Sequence, residues 1–124
     1  MIPLPEGDLT KRRRKNKYGA KRVILDGIRF DSQFESEVYL ELKARLKNGE
    51  IVGLHCHRPF NLYGSDGRVV CTHEVDFLCV MPDGTQEAHE AKGASQALWK
   101  LKRKLFEASY PKIPYIVHYK RKRR

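Results

Sequence analysis

Apolar side chains recur at helical spacing in two parts of the sequence. In the first part they stand at every fourth position, at Phe34, Val38, Leu42 and Leu46. This spacing predicts an amphipathic helix. Asp31 or Ser32 can cap its beginning, and Asn48-Gly49 ends it.

The second predicted helix covers residues 97–109 and is closed by two prolines. Leu98, Leu101 and Leu105 are predicted to form its buried face, because they lie three and four residues apart. The basic residues of this helix are predicted to face solvent. They are Lys100, Lys102, Arg103 and Lys104. We expect Trp99 to belong to the core rather than to stack on a nucleic-acid base.

Shorter segments predict strands around the two helices. A hairpin is predicted over residues 23–30, because Asp26-Gly27 favours a two-residue turn between antiparallel strands. Further strands are predicted at residues 51–55, 60–63, 69–80, 85–92 and 115–119. The order hairpin, helix, strands, helix, strand predicts an α/β protein with a mixed β-sheet flanked by two helices.

A turn at residues 81–85 determines how two of these strands pair. Pro82-Asp83-Gly84 favours a three-residue loop. Counting outward from it places Asp76 opposite Glu90, and strand alternation puts Lys92 on the same face. Opposed residues on one face have Cβ atoms about 4.5–5.5 Å apart, so two like charges there are destabilising unless a cation offsets them.

Two carboxylates and one ammonium group on a single sheet face can hold and use a divalent cation. Mg²⁺ takes a few carboxylate oxygens and keeps several waters, which leaves positions for a phosphate oxygen and an attacking water. Lys92 can orient that water or help to deprotonate it. The alternative is an ordinary surface cluster, because the pattern is loose and one residue of slip would separate the acids.

Basic residues are concentrated at the two ends of the chain. The sequence has 25 Lys and Arg against 15 Asp and Glu, a formal net charge of +10. Thirteen of the cations lie at positions 11–22 and 120–124, where there is no acid, so the rest of the chain carries −3. Such arms are typical of DNA-binding proteins, because neutralised phosphates release condensed counterions. We predict a flexible basic arm at residues 1–17, a folded domain at 18–119 and a basic tail at 120–124.

Several other classes of protein are excluded. No apolar run approaches the roughly 18–20 residues that span a bilayer, and the first residues do not read as a signal peptide. We therefore expect a cytoplasmic protein that binds no membrane. Three cysteines cannot all pair within one chain, which favours a reducing compartment.

Five histidines and cysteines, residue types that bind metals, lie close together in sequence: His55, Cys56, His57, Cys71 and His73. Their spacing is poor for zinc, since it contains no Cys-x2-Cys pair and alternation turns Cys56 away from its two histidine neighbours. We interpret the cysteines as core residues and the histidines as partly exposed. His73 lies nearest to Asp76 and could touch a substrate.

The order helix, three strands carrying Asp and then Glu-x-Lys, helix, strand resembles the PD-(D/E)xK nuclease superfamily. That superfamily includes restriction endonucleases and archaeal Holliday-junction resolvases. The chain more closely resembles a family of small phage-encoded proteins within it. The similar motifs are residues 27–32 with Glu35, 75–77, 90–93 and 102–108. Val75 stands where the literal motif has proline, at a position that varies across the superfamily.

The resemblance implies a restriction-endonuclease-like core with the order α-β-β-β-α-β. It implies that Asp76 and Glu90 bind Mg²⁺, for which Mn²⁺ can substitute, and that Lys92 is the catalytic lysine. Glu35 would complete the metal site or hold a metal-bound water, and the Ala91 carbonyl would be a further ligand. The alternative for Glu35 is a solvated helix acid.

We therefore predict a metal-dependent DNA endonuclease. A small domain with basic arms and no sequence-reading module suits branched DNA, which favours a phage Holliday-junction resolvase acting in the host cytoplasm. Symmetric cutting of a junction would require a homodimer. The residues predicted to contact DNA are Arg12, Arg13, Arg14, Lys15, Lys17, Lys100, Lys102 and Arg103.

Two other functions stay open on the sequence. One is a nuclease that acts on simple duplex or single-stranded DNA. The other is a non-catalytic nucleic-acid-binding protein whose basic arms make all the contacts. The arms could also be localisation signals, and the helix cations a solvated face.

Overall fold

A short hairpin begins the part of the chain that the computed structural model describes, which is residues 22–92 and 96–120. Strands β1 (Val23–Leu25) and β2 (Ile28–Phe30) pair antiparallel. Asp26 and Gly27 between them have φ of 52° and 75°. Both residues are therefore in the left-handed region that this two-residue turn requires, and the predicted hairpin is confirmed.

Helix α1 (Gln33–Lys47) follows directly. Its N-cap is Ser32, whose side-chain oxygen accepts a hydrogen bond from the Glu35 N–H at 3.1 Å. The buried apolar residues of the helix are Val38, Tyr39 and Leu42. Leu46 is 36% exposed, so the predicted four-residue stripe is wrong at its last position.

Four strands form the main sheet, in the order β3 (Gly53–Tyr63), β4 (Val69–Val80), β5 (Gln86–Lys92) and β6 (Tyr115–Tyr119). The first three are antiparallel, and β6 is parallel to β5. The predicted mixed sheet is thus confirmed. The prediction of two separate strands at 51–55 and 60–63 is wrong, because residues 53–63 form the continuous β3.

Helix α2 (Ala97–Ser109) lies between β5 and β6 in the chain, as the parallel pairing of those strands requires. Its bounds match the prediction, but its orientation does not. Trp99 and Phe106 are its buried residues, whereas Leu98 is 64% and Leu101 56% exposed. Leu105 alone of the three predicted leucines packs against the core. Neither α1 nor α2, the helices of the described ranges, is long and apolar enough to cross a membrane.

Two clusters of buried residues make up the core. The α1 cluster contains Phe30, Val38, Tyr39, Leu42, Ile51, Phe77 and Cys79. The α2 cluster contains Leu62, Val75, Ala88, Trp99, Phe106 and Tyr115. Since β4 contributes residues to both clusters, the sheet separates two apolar layers, each covered by one helix.

Candidate active site

The turn between β4 and β5 sets the pairing of the two strands. The Met81 N–H donates to the Thr85 carbonyl at 2.8 Å, and Gly84 has φ of 89°. The paired residues run from Val80 with Gln86 to Phe77 with His89. The register predicted from the turn residues is therefore confirmed.

The regular pairing of β4 with β5 stops one pair before Asp76 and Glu90. Beyond that point, each of the two carboxylates accepts a hydrogen bond from an N–H group of the opposite strand. The Asp76 N–H donates to Glu90 Oε2 at 3.1 Å. The Ala91 N–H donates to Asp76 Oδ2 at 2.9 Å. Carboxylate oxygens thus accept the hydrogen bonds of two strand N–H groups, which holds both acids next to one another.

At Asp76, the odd-numbered side chains of strand β4 switch from one core cluster to the other. Val75 packs in the α2 cluster, but Phe77 packs in the α1 cluster. Strict alternation would put both on one face. The neighbouring β3 has an irregularity opposite this point, since His57 has φ of 54° and interrupts the pairing of β3 with β4. The acids therefore lie where the long β3–β4 hairpin turns from one core cluster to the other.

The two acids are largely withdrawn from water. Glu90 is buried and Asp76 partly exposed. Burial raises the pKa of the Asp76 carboxyl, and the charges of Glu90 and Glu35 raise it further. Burial also raises the pKa of Glu90, against the Asp76 N–H and the positive charge of Lys92. Two adjacent carboxyl groups in this setting require either a shared proton or a cation.

Lys92 and Glu90 both contact Trp99. The Lys92 ammonium lies 4.4 Å from the centroid of the indole ring. The indole N–H of Trp99 donates to Glu90 Oε1 at 3.1 Å. The prediction that Trp99 belongs to the core is confirmed, but its bond to Glu90 is one that no sequence pattern indicated.

Glu35 lies in the first turn of α1 and is only 6% exposed. Its Oε1 lies 2.8 Å from Nε2 of His57, and its Oε2 accepts the Asp31 N–H at 3.4 Å. Burial raises the pKa of Glu35, against the hydrogen bond from His57. Glu35 is therefore not a solvated helix acid, and its charge acts on Asp76.

Residues 15–122 match a family described as a protein of unknown function, DUF1064. The chain belongs to the DUF1064 family. The matched range covers Glu35, Asp76, Glu90 and Lys92 together with every element of the fold. A comparison with curated proteins finds no match, and neither does a comparison with solved structures.

In this DUF1064 chain, Asp76 and Glu90 suit a magnesium ion as a pair, without Glu35 as a third ligand. Within residues 22–92 and 96–120, no group of three or more His, Cys, Asp or Glu could hold a metal ion. Glu35 lies near enough to Asp76 for its charge to act on it, but its carboxylate is hydrogen-bonded to His57. Asp76 and Glu90 nevertheless fit, since Mg²⁺ is usually held by one or two carboxylates and several waters. Ala91 supports the pair through its N–H, which holds Asp76.

The cations predicted to contact DNA differ in their surroundings. Lys100 is exposed, and the Lys102 ammonium donates to the Thr72 carbonyl at 3.3 Å. Arg103 lies over the rings of Trp99 and Tyr115 and pairs with a neighbouring glutamate. Lys102 and Arg103 are partly buried, so they face solvent in part. Arg12, Arg13, Arg14, Lys15 and Lys17 lie outside the described residues.

The remaining histidines and cysteines are divided between core and surface. His55 is exposed and His57 partly exposed, as predicted, but His73 is buried. Its Nε2 lies 2.8 Å from the Tyr115 hydroxyl, and burial lowers its pKa to about 4. His73 is therefore a neutral core residue. The cysteines are free, with Cys79 buried and the other two partly exposed.

Proposed function

We propose that this DUF1064 protein is a metal-dependent endonuclease of the PD-(D/E)xK type that hydrolyses phosphodiester bonds in DNA. One observation carries the proposal. Glu90 accepts the Asp76 N–H and Asp76 accepts the Ala91 N–H, so two acids on adjacent strands are held together, and the charge of Lys92 acts on Glu90. Without a cation, two adjacent carboxylates are destabilising in a sheet, because their like charges repel each other.

Each residue of the site has a separate role in the proposed hydrolysis. Asp76 and Glu90 would hold Mg²⁺, which supplies positive charge to a phosphate oxygen and lowers the pKa of water. Lys92 orients the attacking water and stabilises the negative charge that develops on the phosphate. Trp99 and the Ala91 N–H fix the two carboxylates. Glu35, held by His57, adds negative charge next to Asp76.

DNA binding rests on cations outside the catalytic pair. Lys100 and Lys102 lie on α2, the helix that also carries the Trp99 ring beneath the Lys92 ammonium. The basic arm and tail add contacts that do not depend on base sequence. We extend the proposal to branched DNA, such as a four-way junction, cut by a homodimer. Shape is the property that backbone contacts without base readout can distinguish.

A non-catalytic DNA-binding protein is the second candidate, and the +10 net charge favours it. The two functions differ in whether Mg²⁺ leads to cleavage. The test incubates the protein with Mg²⁺ and four DNA substrates of equal length: four-way junction, flap, duplex and single strand. We expect cleavage, fastest on the junction. Preference for duplex would remove only the branched-DNA part. Tight binding of all four without cleavage would favour the second candidate.

A further inference from the structure

A second group of polar side chains lies on the opposite face of β5 from Glu90. His89 Nδ1 is 2.9 Å from Nε2 of His118, and the two ring centroids are 5.1 Å apart. His89 is 2% exposed and His118 partly exposed. The pair joins β5 to the edge strand β6, and neither histidine takes part in the proposed nuclease site.

The hydrogen positions follow from a third residue. His89 Nε2 lies 3.1 Å from Glu87 Oε1. An ionised carboxylate only accepts hydrogen bonds, so Nε2 of His89 carries the hydrogen and Nδ1 has a free lone pair. That lone pair points at His118. A histidine held by a carboxylate through one ring nitrogen, with the other nitrogen free, is the usual arrangement of a metal-ligating histidine.

We propose that His89 and His118 bind a transition-metal cation such as Zn²⁺. Zinc–nitrogen bonds of about 2.0–2.1 Å in tetrahedral geometry place two nitrogens roughly 3.3–3.4 Å apart. To admit the ion, the two rings have to separate by a few tenths of an ångström from their hydrogen-bonded distance, and the hydrogen on Nε2 of His118 has to move to Nδ1 of the same ring. Water completes the coordination, because the described residues supply no third ligand to a common group.

The surroundings of the pair set its affinity. Helix α1 brings Glu41 and Arg45 close enough for their charges to act on His118. Glu41 attracts a cation and Arg45 repels it. Cys79 is buried and lies opposite Glu87 across the β4–β5 pairing. Imidazole nitrogens favour Zn²⁺, Ni²⁺ and Cu²⁺ over Mg²⁺, so this site and the proposed carboxylate site take different ions.

Calorimetric titration of the metal-free full chain with Zn²⁺ tests the proposal. We expect one ion per chain and at least a tenfold loss of affinity in His118→Ala. His55→Ala, which removes an exposed histidine of β3, is the matched control and is expected to bind as the wild type does. Glu87→Gln is expected to weaken binding about 10–100-fold, because it removes the carboxylate that orients His89.

Nitrogen-15 spectra of the histidine rings provide a second readout, which shows which rings bind the ion. Zn²⁺ is expected to shift His89 Nδ1 and His118 Nε2 in the wild type and in Asp76→Asn. Shifts at His55 or His57 instead would overturn the proposal, as would the absence of Zn²⁺ binding or equal affinity in His118→Ala. Loss of Zn²⁺ binding in Asp76→Asn would assign the ion to the carboxylate pair. DNA cleavage does not enter these outcomes, so the two proposals fail separately.

Discussion

Asp76 and Glu90 are joined by reciprocal bonds between their strands. Glu90 Oε2 accepts the Asp76 N–H at 3.1 Å, while Asp76 Oδ2 accepts the N–H of Ala91, the residue after Glu90. These bonds keep two acids side by side where β4 and β5 stop pairing. Such an arrangement costs stability in the absence of a cation, which is typical of sites selected for chemistry rather than for folding.

Replacing Trp99 by Phe tests how the pair is held. Trp99→Phe keeps an aromatic ring in the core but removes the N–H that donates to Glu90. We expect Mn²⁺ affinity to fall about 10–100-fold, as for other residues that orient metal ligands. Isothermal titration calorimetry measures the affinity. Tyr110→Phe is the control, since the Tyr110 hydroxyl donates to the Asn61 carbonyl away from the acids. Equal Mn²⁺ affinity in Trp99→Phe and the wild type would contradict this role.

The orientation of α2 predicts that replacing its different apolar residues changes stability by different amounts. Leu98→Ala and Leu101→Ala remove exposed side chains and are each expected to change the free energy of unfolding by less than about 0.5 kcal/mol. Phe106→Ala removes a ring that is 0% exposed and is expected to cost about 3–5 kcal/mol. Urea denaturation measures all three. A large loss in Leu98→Ala would mean that the leucine stripe is buried after all.

The buried His73 predicts that stability falls in acid. Its pKa is about 4 in the folded protein, below the ordinary value of 6.5, because burial and then the charges of Lys102 and Lys92 disfavour its protonated form. The unfolded chain therefore binds more protons between these values, and the free energy of unfolding decreases as pH falls from 6.5 toward 4. At pH 4.5, His73 accounts for a loss of roughly 2–3 kcal/mol in the free energy of unfolding.

His73→Gln isolates that loss. Glutamine does not titrate and keeps a polar group for Tyr115, so the loss of stability between pH 7 and 4.5 is expected to be smaller in the variant than in the wild type. Urea denaturation at both pH values gives the comparison. The buried His89 stays in both proteins and therefore cancels. Identical pH dependence of the two proteins would contradict the assignment of His73 as a neutral core residue.

Local turn chemistry made much of the fold predictable from sequence. Asp26-Gly27 specified the first hairpin, and the turn at residues 81–85 specified the register that brings Asp76 and Glu90 together. In both cases a few neighbouring residues determine the backbone angles, so no distant contact has to be known. The bounds of α2 were equally predictable because prolines follow it.

Which side of each helix or strand is buried was not predictable, because it depends on contacts between residues far apart in the sequence. In α2 the leucine spacing indicated one buried face, but Trp99 and Phe106 bury more apolar surface and turn the leucines outward. The change of face at Asp76 lies opposite His57, which has a left-handed conformation and interrupts the pairing of β3 with β4. The same histidine is hydrogen-bonded to Glu35. No local pattern signals a positive φ at a histidine.

The basic arm predicts a strong salt dependence of DNA binding. A variant with five of the six arm cations replaced by Gln is expected to bind DNA more weakly. The replaced residues are Arg12, Arg13, Arg14, Lys15 and Lys17. If each contacts one phosphate, the slope of log K against log salt falls by about 4–5 in magnitude. Fluorescence anisotropy at several salt concentrations measures it. An unchanged slope would contradict a DNA-binding arm, and neutralising the exposed Lys47, Arg68 and Lys112 gives the control.

The central claim is that the Asp76–Glu90 pair and Lys92 cleave DNA with a divalent cation. The most direct measurement is the rate of cleavage of a labelled four-way junction with Mg²⁺ or EDTA, by the wild type, Asp76→Asn and Lys92→Ala. Glu74→Gln is the matched control, since Glu74 is an exposed acid of the same strand. We predict cleavage only with Mg²⁺, a loss of at least about 100-fold in both site variants, and no loss in Glu74→Gln. Cleavage by Asp76→Asn at the wild-type rate, or cleavage in EDTA, would contradict the account.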